Sequence, residues 1–104
     1  MERVIYCGEE HINGMNLRYY IIARSISEEY SDLESYGVRI EKINIYAGGG
    51  KTVETKQINN IFYRKSDVEE FIKMIKRCAV TPVSLHEVVD DYIVKTLEEA
   101  KMMA

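Results

Sequence analysis

The dipeptide Asn13-Gly14 lies between two β-rich runs and does most to organise the first quarter of the chain. Both residues accept positive φ, so together they form a two-residue type I′ loop and fix the pairing on either side. Ile12 is then opposite Met15, Glu9 opposite Arg18, Tyr6 opposite Ile21 and Val4 opposite Ala23. Side chains alternate along a strand, so one face collects Val4, Tyr6, Ile12, Met15, Leu17, Tyr19, Ile21 and Ala23, and is read as the core face. The other face is polar at both ends and apolar in the middle, at Ile5, Cys7, Tyr20 and Ile22. A sheet covered on one side should be polar there, so something covers these four residues. The cover is the 27–35 segment or the N-terminus of the same chain, or another chain, in which case they are the candidate association surface.

A second hairpin runs from about Tyr36 to Tyr46 and from Thr52 to Ile58 around Gly48-Gly49-Gly50. Between the hairpins, residues 27–35 are polar and read as a connecting loop with one helical turn at most. Within the second hairpin the apolar phase slips, from even Val38 and Ile40 to odd Ile43 and Ile45. A β-bulge near Glu41-Lys42 restores a single apolar face. That register sets Lys42 opposite Lys56.

Two amphipathic helices close the chain, and Ser66-Asp67-Val68-Glu69 and Ser84-Leu85-His86-Glu87 both read as capping boxes. The first helix aligns Val68, Phe71, Ile72 and Ile75. The second aligns Leu85, Val88, Val89, Tyr92, Ile93, Leu97 and Ala100. Pro82 separates them, with Ala79–Val83 as the corner. Strands first and helices last define an α+β domain: an antiparallel sheet of about four strands in two hairpins, with two C-terminal helices packed on one face. At 104 residues, residues 1–104 form a single domain.

The run Val80-Thr81-Pro82-Val83-Ser84-Leu85-His86-Glu87-Val88-Val89-Asp90-Asp91-Tyr92-Ile93 resembles a family of short uncharacterised proteins from clostridia-like Gram-positive bacteria. Tyr36-Gly37-Val38-Arg39-Ile40 and Val68-Glu69-Glu70-Phe71-Ile72 share the resemblance. It implies a stand-alone cytoplasmic bacterial protein and assigns no role to any residue. The start of the chain is too soon charged for a signal peptide, and no apolar run is long enough to span a membrane. Cys7 and Cys78 are read as reduced thiols.

Catalytic patterns are weak. Gly48-Gly49-Gly50-Lys51-Thr52 ends like a phosphate-binding loop, but Ile45 stands where the motif needs glycine and a strand follows where it needs a helix. His86 and Asp90 share a helix face without a second cluster to complete a metal shell. Cys7 and His11 share a sheet face but stand too far apart for a nucleophile and its base. No catalytic residue, metal or cofactor is therefore assigned. Residues 36–65 are basic, with six Lys/Arg against two acids, and both flanks are acidic. Lys42, Lys51 and Lys56 are the candidate anion-binding residues. The overall charge of −3 ranks nucleic acid below protein as a partner. The expected function is a non-enzymatic interaction or regulatory module that self-associates through the face of Ile5, Cys7, Tyr20 and Ile22. An anion or nucleic-acid binder is the alternative.

Overall fold

A computed structural model of the chain describes residues 2–26 and 33–103, with side chains as far as Lys101. Four strands, β1 (Glu2–Ile12), β2 (Met15–Ser25), β3 (Glu34–Ile45) and β4 (Lys51–Phe62), pair antiparallel in the order β1-β2-β3-β4. Two helices follow, α1 (Lys65–Arg77) and α2 (Pro82–Met103), and both pack on one face of this meander. The fold is α+β, as the order of patterns in the sequence implies. Residues 27–32 of the expected 27–35 loop lie outside the described residues, while Glu34 and Ser35 already belong to β3.

Asn13 and Gly14 both take positive φ, 48° and 79°, and Ile12 pairs with Met15 as the turn dictates. The pairing then shifts at Cys7. Gly8 is opposite Tyr19, but Tyr6 is opposite Tyr20, leaving Cys7 as the extra residue of a β-bulge. Gly8 holds φ 116°, a conformation that L side chains rarely adopt. A one-residue slip moves every residue beyond it to the other face. Ile5 and Cys7 consequently pack against the helix-side core, and Val4 and Tyr6 turn outward. This corrects the expected faces of β1. The signal was present in the sequence, because a glycine inside a strand pattern is a common mark of a bulge.

The bulge expected at Glu41-Lys42 is absent. β2 and β3 pair without interruption from Met15–Asn44 to Ser25–Glu34. Ile43 therefore stays on the face away from the helices, paired with Val53, which is more than half exposed. The irregularity lies instead on β4. Val38 pairs with Ile58 but Tyr36 pairs with Phe62, and Asn60 takes φ 57° within the extra residues. Gly37 sits opposite this bend, where a Cβ would come 2.1 Å from the Ile58 carbonyl oxygen. The Ser35 hydroxyl donates to Asn60 Oδ1 at 2.5 Å and braces the distortion from β3.

Leu17, Tyr19, Ile21, Val38 and Ile40 form the sheet side of the core. Val68, Phe71, Ile72, Ile75, Leu85 and Val89 form the helix side. Phe62, Phe71 and Tyr92 meet with ring centroids 4.9–5.9 Å apart, joining β4 to both helices.

Neither helix starts at its expected capping box. α1 begins at Lys65, with extended Arg64 as an N-cap that makes no side-chain hydrogen bond, so Ser66 lies inside the helix. α2 begins at Pro82, which fits the first helical position because its missing N–H has no intrahelical partner to lose. Thr81 precedes it, and the Ser84 N–H bonds to the Thr81 carbonyl at 3.1 Å. The corner between the helices is therefore Cys78–Thr81. Beyond Tyr92 the expected apolar stripe leaves the sheet, and Ile93, Leu97 and Ala100 are exposed.

Candidate functional site

The face of the sheet away from the helices is built from short cross-strand rows. Glu2 on β1 pairs with Arg24 on β2, their side chains 3.2 Å apart. The next row holds Val4 and Ile22, followed by Tyr6, Tyr20 and Arg39. Beyond the Cys7 bulge, Glu9 contacts Arg18 at 3.3 Å, with Glu41 as the neighbour on β3. His11 and Asn16 complete the first hairpin and bond to each other.

The aromatic row is tied down on three sides. Tyr6 meets Tyr20 edge-on at 5.6 Å, and the Arg39 guanidinium lies 5.8 Å from the Tyr20 ring centroid. The Tyr20 hydroxyl donates to Glu41 at 2.7 Å, while Arg39 donates to Gln57 at 2.7 Å. Burial pushes the Tyr20 phenol above its ordinary pKa and the Glu41 carboxylate adds to this, with Arg18 pulling the other way. The Glu9 carboxylate holds the Arg18 guanidinium more firmly protonated. Over β1 and β2 the floor of this face is thus a fixed polar lattice whose exposed apolar surface belongs to Val4 and Tyr6, 47% and 55% exposed, while Val53 and Ile45 are exposed at the far end of the second hairpin. Ile22 is fully buried and stands outside the main core cluster.

Of the four candidate association residues, Tyr20 and Ile22 are on this face. Ile5 and Cys7 are on the other, removed by the bulge and replaced by Val4 and Tyr6, which simple alternation places in the core. Cys7 and His11 therefore occupy opposite faces, which ends any reading of them as a catalytic pair. Burial pushes the Cys7 thiol up in pKa, opposed by the Ile21 backbone amide and the Lys76 ammonium. Both cysteines are free thiols.

The three candidate anion-binding lysines are not gathered. Lys42 is opposite Glu54, not Lys56, and Lys56 is opposite Ile40. The hairpin turns one residue earlier than the triglycine suggests, around Ala47-Gly48-Gly49, closing with Tyr46 N–H on Gly50 O at 2.8 Å, and this moves the register by two residues. By strand alternation Lys42 and Lys56 lie on the helix side and Lys51 on the opposite side. Lys51 opens β4, so no helix N-terminus follows the glycines. His86 Nδ1 and Asp90 lie 3.3 Å apart on the exposed side of α2. No cluster of three metal-ligating side chains occurs among the described residues.

The fold and this face define a small α+β meander with a helix-covered side and a latticed open side. The chain belongs to a family of unknown function, DUF6514, whose model matches residues 1–95. No curated protein and no solved structure matches it. None of the helices among the described residues is long and apolar enough to cross a membrane.

Proposed function

We propose that this chain is a non-enzymatic interaction module that self-associates through the open face of its sheet, β1 of one copy lying over β2 of the other. The observation that carries the reading is the exposure of Val4 and Tyr6 beside Tyr20, on a face where solvated strands carry polar residues. A second copy is favoured as the occupant by the charges that flank this centre. In both flanking rows the acid is on β1 and the base on β2, Glu2 with Arg24 and Glu9 with Arg18. A two-fold axis along the ribbon exchanges β1 and β2. It sets Glu2 against the second copy's Arg24 and Glu9 against its Arg18, and brings Val4 and Tyr6 over Ile22 and Tyr20. Such an isologous contact is self-complementary, and face-to-face sheets commonly pack with their strands nearly aligned.

The resemblance to proteins of clostridia-like bacteria makes a cytoplasmic protein the setting for this reading. Anion binding by Lys42, Lys51 and Lys56 takes second place, because the strand register divides them between two faces.

Sedimentation equilibrium of charge variants tests the arrangement. Glu2→Arg weakens the dimer by about tenfold, since like charges then meet across the two-fold axis. Glu2→Arg combined with Arg24→Glu restores it. A double variant as weak as the single one contradicts the two-fold arrangement.

A further inference from the structure

The Cys7 bulge has a second product on the helix side. α1 crosses the sheet beside β1 without covering it, leaving a groove of about 450 Å³ between helix and strand. Its floor is apolar, made by Ile5 and Ile21 from the sheet and Val68 and Ile72 from α1. Its rim carries the cations Arg3, Lys65, Lys73 and Lys76 against the acids Glu34 and Glu69. Arg3 is spent on Glu34, donating to both carboxylate oxygens at 2.7 and 2.9 Å, and this pair closes one end. That leaves three lysines against Glu69. None of the three makes an ion pair among the described residues.

The opposite end is shaped by the bulge. Cys7, its extra residue, lines the groove, and Gly8 leaves open the space occupied by Lys76. A Cβ at Gly8 would come 2.7 Å from Lys76 Nζ. The ammonium thus lies over the strand at the end of an apolar trough, its position permitted by glycine. Ligand pockets have this character, largely apolar with a few polar groups that fix orientation, and their usual volumes begin at about 300 Å³.

We propose that this groove binds an amphipathic anion, a single aliphatic chain ending in an oxyanion. The chain lies on Ile5, Ile21, Val68 and Ile72, and the head is held by Lys76 and Lys73. Charge complementarity selects this ligand: an uncharged chain leaves the lysines unused, and a cation is repelled by them.

The test uses the full chain carrying Cys78→Ser, so that Cys7 is the one thiol, and titrates it calorimetrically with decanoate below its micelle concentration. One decanoate binds per chain. Decanol and decyltrimethylammonium bind at least tenfold more weakly, and octanoate about tenfold more weakly than decanoate, as two fewer buried methylenes require. Bound decanoate slows maleimide alkylation of Cys7. Lys76→Glu weakens binding about tenfold in a chain that keeps its circular dichroism, whereas Tyr6→Asp on the opposite face leaves it unchanged. Equal binding of decanol and decanoate overturns the proposal, as does decanoate binding without protection of Cys7. Binding to phosphatidylglycerol vesicles without binding to decanoate assigns the surface to a membrane and also overturns it. Because Tyr6→Asp separates the two faces, the groove and the dimer stand or fall independently.

Discussion

Ala79 holds φ +50° at the end of α1, where helices more often place glycine. Its N–H bonds to the Lys76 carbonyl at 3.0 Å and the Val80 N–H to that of Ile75 at 2.9 Å, the paired bonds of a Schellman motif. Buried Val80 and Ile75 supply the hydrophobic contact that accompanies it. A Cβ in the left-handed region costs roughly 1–2 kcal/mol, partly returned by the lower chain entropy of alanine. Ala79→Gly is expected to stabilise the protein by about 1 kcal/mol, read as a higher urea midpoint at unchanged slope. A lower midpoint contradicts this account of the corner. The same corner is pinned to the sheet by Tyr19, whose hydroxyl donates to the Val80 carbonyl at 2.9 Å. Burial pushes the Tyr19 phenol up to about 12, from an ordinary value of 10. Because the folded value is the higher one, its contribution is complete below about pH 10 and is lost as pH rises through about 12. At about 1.4 kcal/mol per unit, the loss reaches roughly 2–3 kcal/mol. Tyr19→Phe should cost about 1 kcal/mol at neutral pH and flatten stability between about pH 10 and 12. Tyr20, Tyr36 and Tyr92 are also raised, so a residual slope remains. An undiminished slope in Tyr19→Phe contradicts the assignment.

The elements were legible where a local signal has one structural meaning, and illegible where it has two. Asn13-Gly14 has one, and the structure keeps the turn and the pairs next to it. Gly8 has two, a plain strand residue or a bulge, and pattern counting cannot see the Lys76 ammonium that occupies its missing side chain. That ambiguity moved Ile5 and Cys7 off the open face and Val4 and Tyr6 onto it. The phase slip in β3 likewise had two explanations. Ile43 and Ile45 keep the strand's regular alternation, and β4 carries the bulge instead. The serines of both expected capping boxes lie within helices that start at Lys65 and Pro82. Arg64 thus fills the α1 N-cap position with a side chain that accepts nothing, although its φ and ψ of −121° and 132° suit a capping residue. The Asp67 N–H reaches only the Arg64 carbonyl, at 3.1 Å. Arg64→Ser adds a side-chain acceptor for the first-turn N–H groups, and should add about 1 kcal/mol and raise Tm by about 4–8 °C. Unchanged thermal unfolding contradicts that reading of the helix start.

At the scale of the molecule, one bulge in an edge strand shapes both faces of the sheet. Outward, it presents Val4 and Tyr6 between two acid–base rows. Inward, it opens a lysine-rimmed trough beside α1. Both edge strands are irregular, β1 at Cys7-Gly8 and β4 around Asn60, and bulged edges discourage strand-to-strand growth. The proposed self-association is therefore face to face, with Tyr6 at the centre of the contact. Sedimentation velocity on wild type and Tyr6→Asp at tens of micromolar tests this most directly. A wild-type dimer with a folded, monomeric Tyr6→Asp is the predicted result. A wild-type monomer, or a dimer that Tyr6→Asp leaves intact, contradicts it.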